Sequence, residues 1–203
     1  MTVNKKLSQT LGALKKGYTV NNAYESFPTI QTMVNVAAAS NDSVASAVTL
    51  ASGAITTISG ASLTDPGHYR TIRIKGNQAG VAGNVVVVGY DRGGRVVTDT
   101  IAASGASAVD GVIPMSAIAS ITFPEYVAAG DTISIGVSDK LGLYRPIEST
   151  ADVVLAEKKA SADTEFAVQT STGTVNAMYG TIVPSGTLTA LDSFKFSFET
   201  KQF

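Results

Sequence analysis

From about Thr32 onward the chain is a dense succession of short Val-, Ile- and Thr-rich runs, each closed by Gly, Asn, Asp, Ser or Pro, with no helical periodicity between them. Runs of this length with period-two alternation are strands, and strands at this density with no intervening helices make a sandwich or a barrel rather than a parallel α/β sheet. Candidate strands are Val44–Leu50, Ala54–Ile58, Tyr69–Lys75, Val85–Tyr90, Arg95–Ile101, Ser116–Phe123, Asp131–Val137, Asp152–Glu157, Thr164–Gln169 and Thr174–Tyr179. The clearest is the last, where Phe194, Phe196 and Phe198 alternate with Ser193, Lys195, Ser197 and Glu199, the pattern of a strand buried on one side. The continuous apolar run Val85–Tyr90 predicts a strand buried on both faces. Asp91-Arg92-Gly93-Gly94 predicts a hairpin whose glycines supply positive φ. Gly80-Val81-Ala82-Gly83 is read as a second hairpin turn.

The N-terminal segment is different. Val3, Leu7, Leu11 and Leu14 recur at helical spacing, Lys5, Lys6, Lys15 and Lys16 bracket them, and Gly17 is a stop signal, so a short helix is expected over Val3–Lys16. A helix this short needs a surface to lie on. Tyr24, Phe27 and Pro28 read as an extended arm. The expected fold class is therefore all-β, an antiparallel sandwich or barrel, with an N-terminal extended arm containing a short helix. The expected division is a docking arm over 1–39 and a β domain over 40–203. Strand spacing loosens near Tyr144-Arg145-Pro146, so the remainder is either a second small β unit or the closing strands of the first.

Composition narrows the function. Of 203 residues 44% are hydrophobic and only 15% charged, against roughly 25% charged in an average globular domain. The surface must then be covered largely by Ser, Thr, Asn and Gly, which suits a chain that buries its outside against neighbours. A net charge of −1 and a pI of about 5.8 argue against nucleic-acid binding, which needs basic surface. The absence of Cys removes disulfides, thiolate nucleophiles and Cys-based zinc sites. No apolar run approaches the ~20 residues that span a bilayer, and the N-terminus lacks the apolar stretch of a secretory signal.

Catalytic constellations are equally scarce. The single histidine, His68, follows Asp65-Pro66-Gly67 and is read as a loop residue rather than a base. No G-x-S-x-G, calcium loop or phosphate loop is present. Asp131 and Asp139 are read as strand-end acids. No catalytic residue, cofactor, metal ligand or small-molecule substrate is expected. The docking candidates are Val3, Leu7, Leu11 and Leu14 as an apolar stripe, with Tyr18, Tyr24 and Phe27 as aromatic anchors.

Val81 to Ile101, with its strand ending in Gly89-Tyr90-Asp91 and returning through Val97-Thr98-Asp99-Thr100-Ile101, resembles a recurrent pattern of tailed-phage structural proteins. Ile118-Ala119-Ser120-Ile121-Thr122-Phe123-Pro124 is similar to a later segment of the same pattern. So are Gly130-Asp131-Thr132-Ile133-Ser134-Ile135-Gly136 with Asp139-Lys140-Leu141-Gly142-Leu143, and Tyr179-Gly180-Thr181-Ile182-Val183-Pro184. The resemblance covers roughly Tyr69 to Pro184 and leaves the arm outside it. It implies a virion β protein with no catalytic residues. Size, β architecture and arm resemble those of capsid decoration or cement proteins, which implies a location on the capsid surface and the major capsid protein as partner. By analogy it also implies a homo-oligomer, with a trimer among the options. A tail, neck or baseplate component and a carbohydrate-binding sandwich for host attachment are the alternatives. Loss of residues 1–30 is expected to leave a folded domain that no longer binds the capsid.

Overall fold

The computed structural model describes residues 29–125, 130–144, 147, 149, 152–169, 173–185, 188, 189 and 191–198. The described chain is all-β and antiparallel. Its strands are β1 (Thr29–Val36), β2 (Ser40–Thr49), β3 (Thr56–Ser59), β4 (Arg70–Gly76), β5 (Ala82–Tyr90), β6 (Val96–Ser104), β7 (Val109–Asp110), β8 (Ala117–Phe123), β9 (Thr132–Gly142), β10 (Val153–Lys159), β11 (Ala167–Val168), β12 (Thr174–Asn176), β13 (Thr181–Val183) and β14 (Asp192–Phe198). They form three sheets, ordered β3-β8-β5-β6, β12-β13-β9-β4-β7 with β2 also on β9, and β1-β14-β10-β11.

Two apolar clusters hold these sheets together. The first lies between the β3-β8-β5-β6 sheet and the β2, β4 and β9 strands, and contains Ile72, Ile74, Val85, Val87, Ile101, Ile121, Phe123, Ile133 and Ile135. The second joins β1, β10 and β14 to β13 and the end of β9 through Met33, Val36, Leu141, Ile182, Phe194 and Phe196. β9 belongs to both. Its Ile133, Ile135 and Val137 face the first cluster, and its Leu141 faces the second. Each such side chain taken from water contributes roughly 1.5–3 kcal/mol.

The β5–β6 hairpin forms where the sequence predicts it, from Ala82↔Ser104 to Tyr90↔Val96. Of its two turn glycines only Gly94 takes positive φ, at 77°. Two expectations are corrected. Val85 and Val87 are buried but Val86 and Val88 are half-buried, so β5 is covered on one face only. Its outer valines reflect a neutral outer surface rather than a second packed layer. Gly80–Gly83 is not a hairpin turn, because β5 pairs with β6 and β8 while β4 pairs with β7 and β9. The link instead crosses between sheets and plugs Val81 into the first cluster.

Thr29–Val36, which the sequence reading places inside the arm, is β1. It pairs with β14 from Thr29↔Phe198 to Val36↔Asp192. Its Gln31 is buried and splints the end of β9: Nε2 donates to the Gly142 carbonyl at 2.9 Å, and Oε1 accepts the Tyr144 N–H at 2.8 Å.

Candidate functional site

Two surfaces stand out. The first is the outer face of the β3-β8-β5-β6 sheet. In an antiparallel sheet directly paired residues share a face. One row therefore runs Thr57, Thr122, Val86, Thr100, and the next runs Ser59, Ser120, Val88, Thr98. Tyr90 with Ala117 and Val96 continues the face at one end, and Asn84 with Ala102 at the other. None of these residues is charged. Val96 is 65% exposed and Tyr90 39%. The Thr57 and Thr122 hydroxyls meet at 3.1 Å, which ties the two strands across the face. The charge carried by β6 points the other way. Asp99 is buried, and its Oδ2 accepts the N–H groups of Val112 at 2.8 Å and Ile113 at 3.1 Å. An inward acid of this kind also discourages a long edge strand from indiscriminate pairing.

The second surface is a cleft of about 250 Å³ where three loops converge. The β5–β6 turn supplies Asp91, Arg92 and Arg95. The end of β9 supplies Leu143 and Tyr144. The β12–β13 turn supplies Met178 and Tyr179, and Tyr69 lies between them. The Arg92 guanidinium sits 3.2 Å from the centre of the Tyr144 ring, a cation–π stack. Among the described residues Arg92 has no carboxylate partner. Asp91 is occupied by Arg95, accepting its backbone N–H and its Nε–H, each at 2.9 Å. That backbone N–H chiefly, with the guanidinium, holds the Asp91 carboxyl below its usual range. Burial, then the Asp91 charge, pushes the Tyr69 phenol above its ordinary value, so it remains a neutral donor. The Tyr69 ring lies so close to Gly142 that a Cβ there would collide with it.

The docking candidates Val3, Leu7, Leu11, Leu14, Tyr18, Tyr24 and Phe27 lie outside the described residues. His68 is engaged through Nε2 with the Val34 carbonyl at 2.9 Å. Its neighbour Asp65 accepts the Ile118 N–H at 2.9 Å instead of pairing with it. Asp139 accepts the Ala39 N–H at 3.0 Å. Asp131 is fully buried, with neither carboxylate oxygen hydrogen-bonded among the described residues. Among those residues no group of three His, Cys, Asp or Glu side chains converges on a metal-sized space, and no helix is long and apolar enough to cross a membrane. The tyrosine cleft was not legible in advance, because its parts lie in loops up to about a hundred residues apart. The uncharged face left a readable trace, since Val86, Val88, Thr98 and Thr100 share one strand parity. No family model, curated protein or solved structure matches this chain.

Proposed function

We propose that the chain is a non-catalytic structural component of a tailed-phage particle, a decoration or cement protein that binds between major capsid protein subunits and stabilises the assembled head. The observation that carries this reading is the four-strand face without a charge. Soluble surfaces normally intersperse Lys, Arg, Glu and Asp, whereas the centres of protein interfaces are depleted of them. Residues on this face lose no ionic solvation when a neighbour covers them, so burial there costs little. The sequence resemblance points the same way, as does the low overall charge. Binding at subunit junctions stabilises the shell by mass action, because the ligand adds its binding energy to the assembled state alone.

The deciding experiment is mass-spectrometric copy number in purified virions. Hundreds of copies per particle are expected for a shell protein. A handful per particle would assign it to the tail or neck, and its absence from virions would end the proposal.

A further inference from the structure

The cleft between Tyr69, Arg92, Tyr144 and Tyr179 has a chemistry that the assembly role does not use. We infer that it binds an acidic sugar, a single pyranose bearing a carboxylate. Its size sets the first limit. About 250 Å³ falls below the ~300–1,000 Å³ of pockets that enclose drug-sized ligands, which suits a single ring. Its charge sets the second. Asp91 is neutralised by Arg95, which leaves the guanidinium of Arg92 as the charge available to a ligand. A planar guanidinium pinned on an aromatic ring is pre-organised for bidentate pairing with a carboxylate. The rings set the third. With the Tyr144 ring taken by Arg92, Tyr69 and Tyr179 line the rest of the cleft and supply apolar ring surface for the C–H side of a pyranose and hydroxyls for its O–H groups. A lone carboxylate from an acidic peptide would satisfy the arginine but leave the phenols unused.

The test is saturation-transfer NMR on the full chain with N-acetylneuraminic acid and glucuronic acid as probes. Methyl glucoside serves as the neutral control and N-acetylglutamate as the carboxylate without a sugar. At least one acidic sugar is expected to bind about tenfold more tightly than either control, a step of about 1.4 kcal/mol. Arg92 is exposed at a hairpin tip, so Arg92→Ala should leave the amide spectrum intact while weakening binding about tenfold. Tyr179→Ala should weaken it as well. Absence of transfer from both acidic sugars overturns the inference. So does equal binding of the glucoside, or equal binding of N-acetylglutamate, which would assign the cleft to an acidic peptide. Unchanged affinity in Arg92→Ala overturns it too.

Discussion

The guanidinium of Arg70, with no exposed surface, donates from Nε to the Ser138 carbonyl at 2.7 Å, and its Nη2 reaches the same oxygen. Nη1 donates to the Ala37 carbonyl at 2.8 Å, and the Asp139 carboxylate stands 3.9 Å from Nη2. One side chain of β4 thereby fastens β9 and the β1–β2 link at the point where the two apolar clusters meet. Burial pushes the Arg70 pKa down to about 10, so the group remains charged at neutral pH and its hydrogen bonds are charge-assisted.

Replacing Arg70 should therefore be costly. Arg70→Ala leaves the buried Ser138 carbonyl unsatisfied, releases the Ala37 carbonyl and opens a cavity, for an expected loss of about 3–5 kcal/mol. Arg70→Lys cannot reproduce the fork that reaches two carbonyls and should recover less than half of that. Urea unfolding measures both. A loss below about 1 kcal/mol for Arg70→Ala would contradict the fastening role.

Asp192 gives the second cluster a sensitivity to acid. Its carboxylate is fully buried and accepts from Lys158 Nζ at 2.8 Å, from the Thr189 N–H at 2.8 Å and from the Thr189 hydroxyl at 2.7 Å. Burial alone would raise its pKa, but these donors outweigh it and hold the group below the ordinary value. A carboxyl depressed in the folded state stabilises fully above its unfolded pKa of about 3.9 and loses that contribution as pH falls through the folded value. Asp192→Asn should cost about 1–2 kcal/mol at pH 7, a cost that shrinks as the pH is lowered through the acid range. Urea midpoints followed from pH 7 downward check this. A cost that does not change with pH would exclude the linkage.

The uncharged face predicts a variant that separates folding from assembly. Thr98 and Thr100 are exposed on β6, so Thr98→Lys with Thr100→Lys should change monomer stability by no more than about 0.5 kcal/mol per site. Two cations pressed against a neighbour would be desolvated without partners. Binding to particles, followed by co-sedimentation, should fall at least tenfold. Undiminished co-sedimentation would place the contact elsewhere.

Legibility in the sequence followed burial chemistry. Phe194 and Phe196 announce β14 because each inward position is aromatic and each outward one polar. The β5–β6 hairpin is announced by its turn residues. Val86 and Val88 mislead, because apolar type indicates burial while their surroundings on a neutral outer face are only half-covered. Arg70 leaves no trace of its role in the sequence. A charged residue reads as surface, and only the carbonyls brought to it by β9 and by the segment after β1 make its burial tolerable. β1 itself was hidden for a related reason, since its partner β14 lies at the far end of the chain.

The placement of β1 sharpens where the arm can be cut. Met33 and Val36 are core residues of the second cluster, Gln31 splints the end of β9, and Ala37 receives Arg70. Removal of residues 1–28 takes none of these and should leave the thermal midpoint within a few degrees of the full chain. Removal of residues 1–36 strips a strand from β14 and two apolar side chains from the cluster, each worth about 2–5 kcal/mol when truncated in a core. That variant should lose cooperative unfolding of the second cluster while the first, which draws nothing from β1, persists. Hydrogen exchange resolves the two regions: protection should vanish in β10 and β14 and survive in β5 and β8. Retained protection of β14 in the 1–36 deletion would show that β1 is dispensable. The 1–28 deletion also tests the arm directly, because a folded chain that no longer co-sediments with particles would assign particle attachment to those residues.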